Sequence, residues 1–264
     1  MVICRLDENG GPSVARNKGI ELVIEDNLPY IIFADADDCF YSYYSLEKLL
    51  KKIKEYDFIV SSFLEETENT DLGNNLLHTD IDIWLFGKIY KTEIIKKYQI
   101  QFPLQPANED VAFNVWYKTC CDKVLQLEEI TYVWKYNINS ITRKNNSEYV
   151  TYCYTGLCQN LTWSFEKMKQ NKNISKEKFI SAVVNRILRL YLGYNSYLKT
   201  SLSEERIQEF FEAVRNFYNN IYKPIEKEVS FDLLENEWSD ILIRNGSPFI
   251  YLGWDDFLKK IREE

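Results

Sequence analysis

Apolar residues recur along this chain in two rhythms. Up to about residue 147, short apolar runs alternate with helix-like stretches; beyond it, long helical periodicity takes over. The pattern predicts a short strand over 2–6 and a helix capped by Ser13 that runs to about Glu25, with Val14, Ile20, Leu22, Val23 and Ile24 on its apolar side. Asn27-Leu28-Pro29 ends that helix, and 30–34 is too short and too rich in Ile for anything but a buried strand. Ser45 is the expected cap of a second helix to about Tyr56, followed by a strand over 57–63. Strand and helix alternating in this way predict an α/β layer with parallel pairing. The pattern continues with a polar loop over 65–75, an apolar approach over 84–90 to a helix capped near Thr92, a loop over 102–108, a helix over 109–121, a strand over 123–136 and a loop over 137–146. Helices are predicted over 148–171, 176–200, 203–222, 231–243 and 254–263, with Ser175 and Ser203 as caps. The expected organisation is therefore an α/β domain over 1–147 and an all-helical domain over 148–264.

Composition narrows the function. The 264 residues carry 32 basic and 40 acidic side chains, a net charge of −8, which argues against a general nucleic-acid binder. Nineteen Tyr, 15 Phe and 6 Trp exclude a disordered chain. The six cysteines contain no C-x-x-C pair and the chain has one histidine, so free thiols are expected rather than zinc or a disulfide framework. Arg5, Asp7 and Glu8 follow Met1 at once, and no stretch is long and apolar enough to span a membrane. The expected location is cytoplasmic, with peripheral contact at the inner membrane face. The sequons at Asn145, Asn160 and Asn173 then read as chance matches.

Candidate chemistry clusters early. Asn9-Gly10-Gly11 is a turn that brings backbone close to a partner, and Arg16 and Lys18 follow at the start of a helix, whose N-terminus favours anions. Asp35, Asp37 and Asp38 follow a buried strand, where open α/β sheets bind ligands. Such carboxylates are hard oxygen ligands for Mg²⁺ or Mn²⁺, or else a polar loop capping the next helix. In an extended segment Asp35 and Asp37 would point the same way and Asp38 another. Glu109-Asp110 opens a helix, either as acid–base groups or as acids favoured by the helix dipole. Trp84, Phe86 and Trp116 are candidates to face a sugar, with core packing expected for at least two. His78 is expected in an exposed polar loop. Arg186, Arg189, Tyr191, Tyr194 and Tyr197 form either a partner surface or one amphipathic helix.

These blocks, in this order, resemble a family 2 glycosyltransferase of the GT-A fold. The resemblance is carried by Asn9-Gly10-Gly11, Ala15-Arg16-Asn17, Asp35-Ala36-Asp37-Asp38, Gly87-Lys88-Ile89-Tyr90-Lys91, Phe102-Pro103, Glu109-Asp110-Val111-Ala112-Phe113, the Tyr132 to Tyr136 stretch and Ser140-Ile141-Thr142. It covers about residues 3–145.

The resemblance implies a Rossmann-like mixed sheet with helices, an N-terminally shortened GT-A domain, followed by the helical region. It implies a metal-dependent, inverting transfer from a nucleotide sugar, UDP-linked, to a hydroxyl of a glycan or glycolipid. Asp37 would bind Mn²⁺ or Mg²⁺ together with Asp35, which also orients the ribose. Asp38 would support the loop, and Asn9, Gly10 and Arg16 would line the donor side. Asp110, flanked by Glu109, would be the base. Family members begin with a further strand-helix-strand-helix segment, so a free sheet edge is expected here, covered by a second copy, by a partner chain or by the C-terminal helices. The rival reading is a non-catalytic binding or assembly protein that reuses the fold.

Overall fold

The structure, a computed structural model, describes residues 3–68, 75–79, 81–105, 107–138, 140 and 147–263. The chain divides into two compact units, Met1–Arg143 and Lys144–Glu264. Ile141, Thr142 and the sequon at Asn145 lie outside the described residues.

The first unit holds α1 (Gly11–Glu25), β1 (Tyr30–Ile31), β2 (Cys39–Phe40), α2 (Ser45–Ile53), β3 (Phe58–Glu65), β4 (Leu76–His78), β5 (Lys88–Lys91), α3 (Thr92–Tyr98), α4 (Glu109–Thr119) and β6 (Val124–Trp134). The sheet order is β1-β5-β3-β6-β2, with β4 on β3. It is mixed: β3 and β6 run parallel, and the other pairs are antiparallel. The mixed sheet that the resemblance implies forms, but the parallel pairing expected of the early strands is confined to β3 and β6, while β1 and β2 pair antiparallel with β5 and β6. β3 is the central strand, and residues 58–63 are all buried. Below it, Leu49 and Ile53 of α2 pack on Ile59 and Ile89. On another side, the rings of Phe33, Tyr90, Phe102 and Phe113 meet at 4.0–5.7 Å. The aromatic content therefore builds the core of this unit, each ring removing a large apolar area from water.

Several local expectations need correction. Residues 3–6 form no strand, since no neighbouring strand offers them a ladder. The predicted strand 30–34 pairs only at Tyr30–Ile31, because Phe33 turns into the ring cluster. Ser13 is not a cap: Gly10 takes that position, and Pro12 enters the first turn, where a missing N–H costs nothing. Ser45 lies inside α2, where its Oγ accepts the Ser42 N–H at 2.9 Å.

The second unit is helical: α5 (Ser147–Gln170), α6 (Lys176–Gly193), α7 (Lys199–Ser201), α8 (Glu204–Phe217), α9 (Phe231–Asn245) and α10 (Trp254–Arg262). Ser175 and Ser203 cap α6 and α8 as expected, each accepting a backbone N–H three residues on. The long helix expected over 176–200 is interrupted. A wide π turn over Tyr194–Leu198 follows α6, and another over Tyr218–Tyr222 follows α8. Asn195, 1% exposed, sits in the first. Its Nδ2 donates to the Tyr191 carbonyl, and its Oδ1 accepts the N–H groups of Tyr251 and Leu252 at 2.8 and 3.0 Å. Arg186, Tyr191 and Tyr194 are buried and Tyr197 is exposed, so this stretch packs the helical core instead of presenting a partner surface. Asn160 is buried as well. Among the described residues, no helix is long and apolar enough to cross a membrane.

Candidate functional site

The Asn-Gly-Gly turn is built locally. Asn9 Oδ1 accepts the Gly11 N–H at 3.0 Å, and Gly11 has φ +77°, a left-handed conformation that favours glycine. The turn launches α1 so that Arg16 lands one turn in and mostly buried. Its Nη1 donates to Glu109 Oε1 at 2.8 Å and its Nη2 to Asp35 Oδ1 at 3.3 Å. The guanidinium also lies 5.6 Å from the Phe102 ring centre. Beside it, Asn17 donates Nδ2 to the Phe102 carbonyl and accepts the Phe102 N–H, at 2.9 and 2.8 Å. Three stretches far apart in sequence therefore converge on the basic start of α1: the Asp-x-Asp-Asp segment, the Phe-Pro loop and the start of α4.

Residues 35–38 are a turn, closed by the Asp38 N–H on the Asp35 carbonyl at 3.2 Å. The alternation expected of an extended segment is lost, and the three carboxylates fan out. Asp35 faces Arg16, and Asp37 Oδ2 accepts from Asn137 Nδ2 at 3.2 Å. Asp38 accepts the Tyr132 hydroxyl at 2.8 Å and the Lys135 N–H at 2.9 Å. Burial raises the Asp38 carboxyl above its ordinary range, against the pull of those two hydrogen bonds, and the neighbouring acids add to the rise. Tyr132 also receives the Asp35 N–H on its hydroxyl at 3.0 Å, so one buried ring on β6 fixes both ends of the turn.

Asp110 is the second group of interest. Its Oδ2 accepts the Trp84 N–H at 2.9 Å and its Oδ1 the Val111 N–H at 2.8 Å. Burial pushes its carboxyl up to about 6, and the adjacent Glu109 charge pushes the same way. A carboxylate poised there is a base matched to neutral pH. Trp84 itself has φ +56° and is held from its other side. Its carbonyl accepts from Lys88 Nζ at 3.0 Å and Asn114 Nδ2 at 2.6 Å, and Lys88 also reaches the Ile83 carbonyl at 2.7 Å. Gly87 (φ +64°) lets this turn close, since a Cβ there would meet Ser61 Oγ at 2.6 Å. Lys88 is fully buried, and removing its ammonium takes a donor from the Ile83 carbonyl and one of the two donors from the Trp84 carbonyl. Lys88→Met is expected to cost about 2–4 kcal/mol of stability, read as a lower midpoint of urea unfolding.

The donor set decides what could hold a cation. Among the described residues, no three His, Cys, Asp or Glu side chains converge on a metal position. A protein-only cage is therefore not built here. The hard oxygens of Asp37 and of Asp35, both at least partly exposed, do fit a divalent ion completed by water and substrate phosphates, as Mg²⁺ usually is.

The structure thus brings Arg16, Asp35, Glu109 and Asp110 into one linked network, with Asp37 in the same turn as Asp35. Asn9 and Gly10 shape the entry to α1. Phe86 and Trp116 are buried and Trp84 is partly exposed. His78 is not a loop residue; it lies on β4, half-buried, with Nε2 at 2.7 Å from Glu65. Sequence reasoning gave no role to Tyr132, Lys88, Asn114 or Asn17. Each acts by holding backbone or a turn, and the buried polar character of Lys88 within the apolar approach 84–90 was the one available signal.

Residues 1–113 match the family described as Glycosyl transferase family 2. No curated protein matches the chain. Among solved structures, the chain is similar to S. aureus TarS 1-349 in complex with UDP-GlcNAc, with a TM-score of 0.61 and 14% identity over 92% of this chain and 74% of that one. The same fragment in complex with UDP gives 0.55 and 15% over the same shares. S. aureus TarS gives 0.57 and 14%, over 91% of this chain and 43% of that one. At such identity the likeness is one of fold: a GT-A-type mixed sheet with helices and a helical C-terminal region.

Proposed function

We propose that this chain, whose residues 1–113 match glycosyl transferase family 2, transfers a sugar from a UDP-linked donor to a hydroxyl of a glycan or glycolipid, with inversion and with the help of a divalent cation. The observation that carries the reading is the bridge by which Arg16 ties Asp35 to Glu109, with Asp110 next in the chain. It joins the donor-side carboxylate turn to the start of α4, where Asp110 follows Glu109. The UDP and UDP-GlcNAc complexes of the similar TarS structures favour a uridine donor.

In this mechanism Asp110 accepts the proton of the acceptor hydroxyl as that oxygen attacks the anomeric carbon. The bond from the anomeric carbon to the diphosphate oxygen breaks with its electron pair going to UDP. One displacement inverts the centre, and no covalent enzyme intermediate is needed. Asp37, with Asp35, would hold Mn²⁺ or Mg²⁺, which supplies charge neutralisation to the departing diphosphate. Arg16 keeps Asp35 and Glu109 from repelling one another across the site, and Asp38 with Tyr132 fixes the turn.

The test is calorimetric titration of UDP into the chain with Mn²⁺ and with EDTA. Binding that requires the cation is the expected result, and no binding in either condition overturns the reading. The pH profile gives a second check. Because Asp110 must be ionised to act, transfer should fall about tenfold per pH unit below about 6 and level off above it.

A further inference from the structure

Next to the proposed base lies a set of rings that the mechanism above does not use. Trp84, Trp134 and His78 are each partly exposed. The Trp84 ring centre is 4.8 Å from His78 and 6.3 Å from Trp134, with the rings tilted 57° and 54°. Beneath them lies a buried floor of Phe63, Phe86 and Tyr132. Phe63 stacks on His78 at 4.9 Å, and Phe86 stacks on Tyr132 at 4.8 Å and meets Trp134 at 5.8 Å. The three upper rings are thus held from below by packed side chains, and a ligand laid on them would meet a preformed surface.

The platform is bonded into the site at both ends. Through Trp84 its backbone N–H reaches the Asp110 carboxylate, and through the floor the Tyr132 hydroxyl reaches Asp35 and Asp38. Its rim is polar. Glu65 holds His78, and Lys135, the residue after Trp134, pairs with Glu66 at 2.7 Å. We infer that Trp84, Trp134 and His78 form the acceptor subsite, and that the acceptor it takes is a neutral pyranose ring. This rests on the glycosyl transfer reading above.

The chemistry selects that ligand class. The electron-rich faces of aromatic rings attract the polarised C–H face of a sugar, and carboxylates at the rim accept its hydroxyl protons. An alkyl chain would strip water from the Glu65–His78 and Glu66–Lys135 pairs at the rim and offer them no hydrogen bond in return. An anionic ligand would meet Glu65, Glu66 and Asp110 together. A pyranose seated on the rings satisfies both demands and lies beside the base.

The test uses the chain labelled with 5-fluorotryptophan, whose resonances for Trp84 and Trp134 are assigned with Trp84→Phe and Trp134→Phe. Methyl glucoside, methyl galactoside and methyl N-acetylglucosaminide are titrated, with sorbitol as a polyol that has hydroxyls but no ring. At least one pyranoside is expected to shift both resonances, and sorbitol to shift neither. Trp84→Leu, which keeps the backbone N–H, is expected to weaken that pyranoside about tenfold and to leave UDP affinity unchanged. The inference is overturned if no pyranoside moves Trp84 or Trp134 more than sorbitol does, or if a folded Trp84→Leu binds as the parent chain does. The parent chain decides the matter even where a variant does not fold. UDP titrated into the same sample reports separately on the transfer reading.

Discussion

Asp110→Asn is expected to slow sugar transfer by about 10²–10⁴-fold, the usual worth of a positioned base, while UDP still binds as in the parent chain. The amide keeps the shape of the side chain and can still accept the Trp84 N–H, so the turn over 81–87 keeps its anchor. What it loses is the ability to take a proton and the second acceptor oxygen, which faces the Val111 N–H. Release of UDP from a UDP-sugar in the presence of acceptor measures the rate, and calorimetry measures the binding. Loss of both together would mean that Asp110 serves the fold or the donor instead of the proton transfer.

The same substitution carries a stability signature. Burial raises the Asp110 carboxyl from its ordinary value to about 6. The folded chain therefore holds a proton that the unfolded chain has released in the window from about pH 4 to about 6. Stability from this group is full below that window and is lost as pH rises through it. At neutral pH the folded protein carries an ionised carboxylate in a poorly solvated place. Asp110→Asn removes that cost and is expected to gain on the order of 1 kcal/mol at pH 7, with no gain at pH 4. Urea unfolding at the two pH values checks it. A side chain that lowers stability where it is needed for turnover is the common mark of a functional group.

Asp37→Ala is expected to abolish the cation-dependent part of UDP binding, so that its affinity in Mn²⁺ falls to the value seen in EDTA. Asp37 has the simplest surroundings of the three acids, with Asn137 as its hydrogen-bond partner. Asp35 is committed to Arg16 and Asp38 to Tyr132 and Lys135. Removing Asp37 therefore leaves the 35–38 turn in place, since that turn is closed by backbone and by Tyr132. Calorimetric titration of UDP with and without Mn²⁺ reads the effect. Equal affinity of the variant and the parent in Mn²⁺ overturns the cation assignment, and a fallen unfolding midpoint would instead assign Asp37 to the fold.

Much of the fold was legible in the sequence because its apolar runs have the length and spacing of buried strands and helices. Helices α4 and α5 and strands β3 and β6 fall where the periodicity places them. The mixed character of the sheet follows from the resemblance, but which strands pair antiparallel was not legible. Whether β5 runs with or against β3 depends on how the 81–87 turn closes, and that turn rests on Gly87, Lys88 and Asn114, which sit far apart or inside an apolar run. The candidate site divides along the same line. Its acids stood out as clusters at element ends, where few residues compete to explain them. The groups that aim those acids are a buried lysine, whose carbonyl partners lie 4 and 5 positions away, and a buried tyrosine and two asparagines, whose contacts lie 24 to 97 positions away in the chain. His78 was misread for that reason: nothing near it in sequence announces Glu65 or the Phe63 ring.

The wide turn at Tyr194–Leu198 makes the helical unit unequal in its tolerance to insertions and deletions. A π turn spends one more residue than an α turn, and each residue rotates the helix by about 100°. Deleting a single residue there would restore ordinary helical spacing and swing Asn195 away from the backbone of Tyr251 and Leu252, on which both of its amide atoms are engaged. The segment leading into α10 would lose its latch although no residue of α10 had changed. Length drift among relatives of this chain should therefore gather in the exposed connections, such as 171–175, and spare the five residues of the turn, even where their side chains vary.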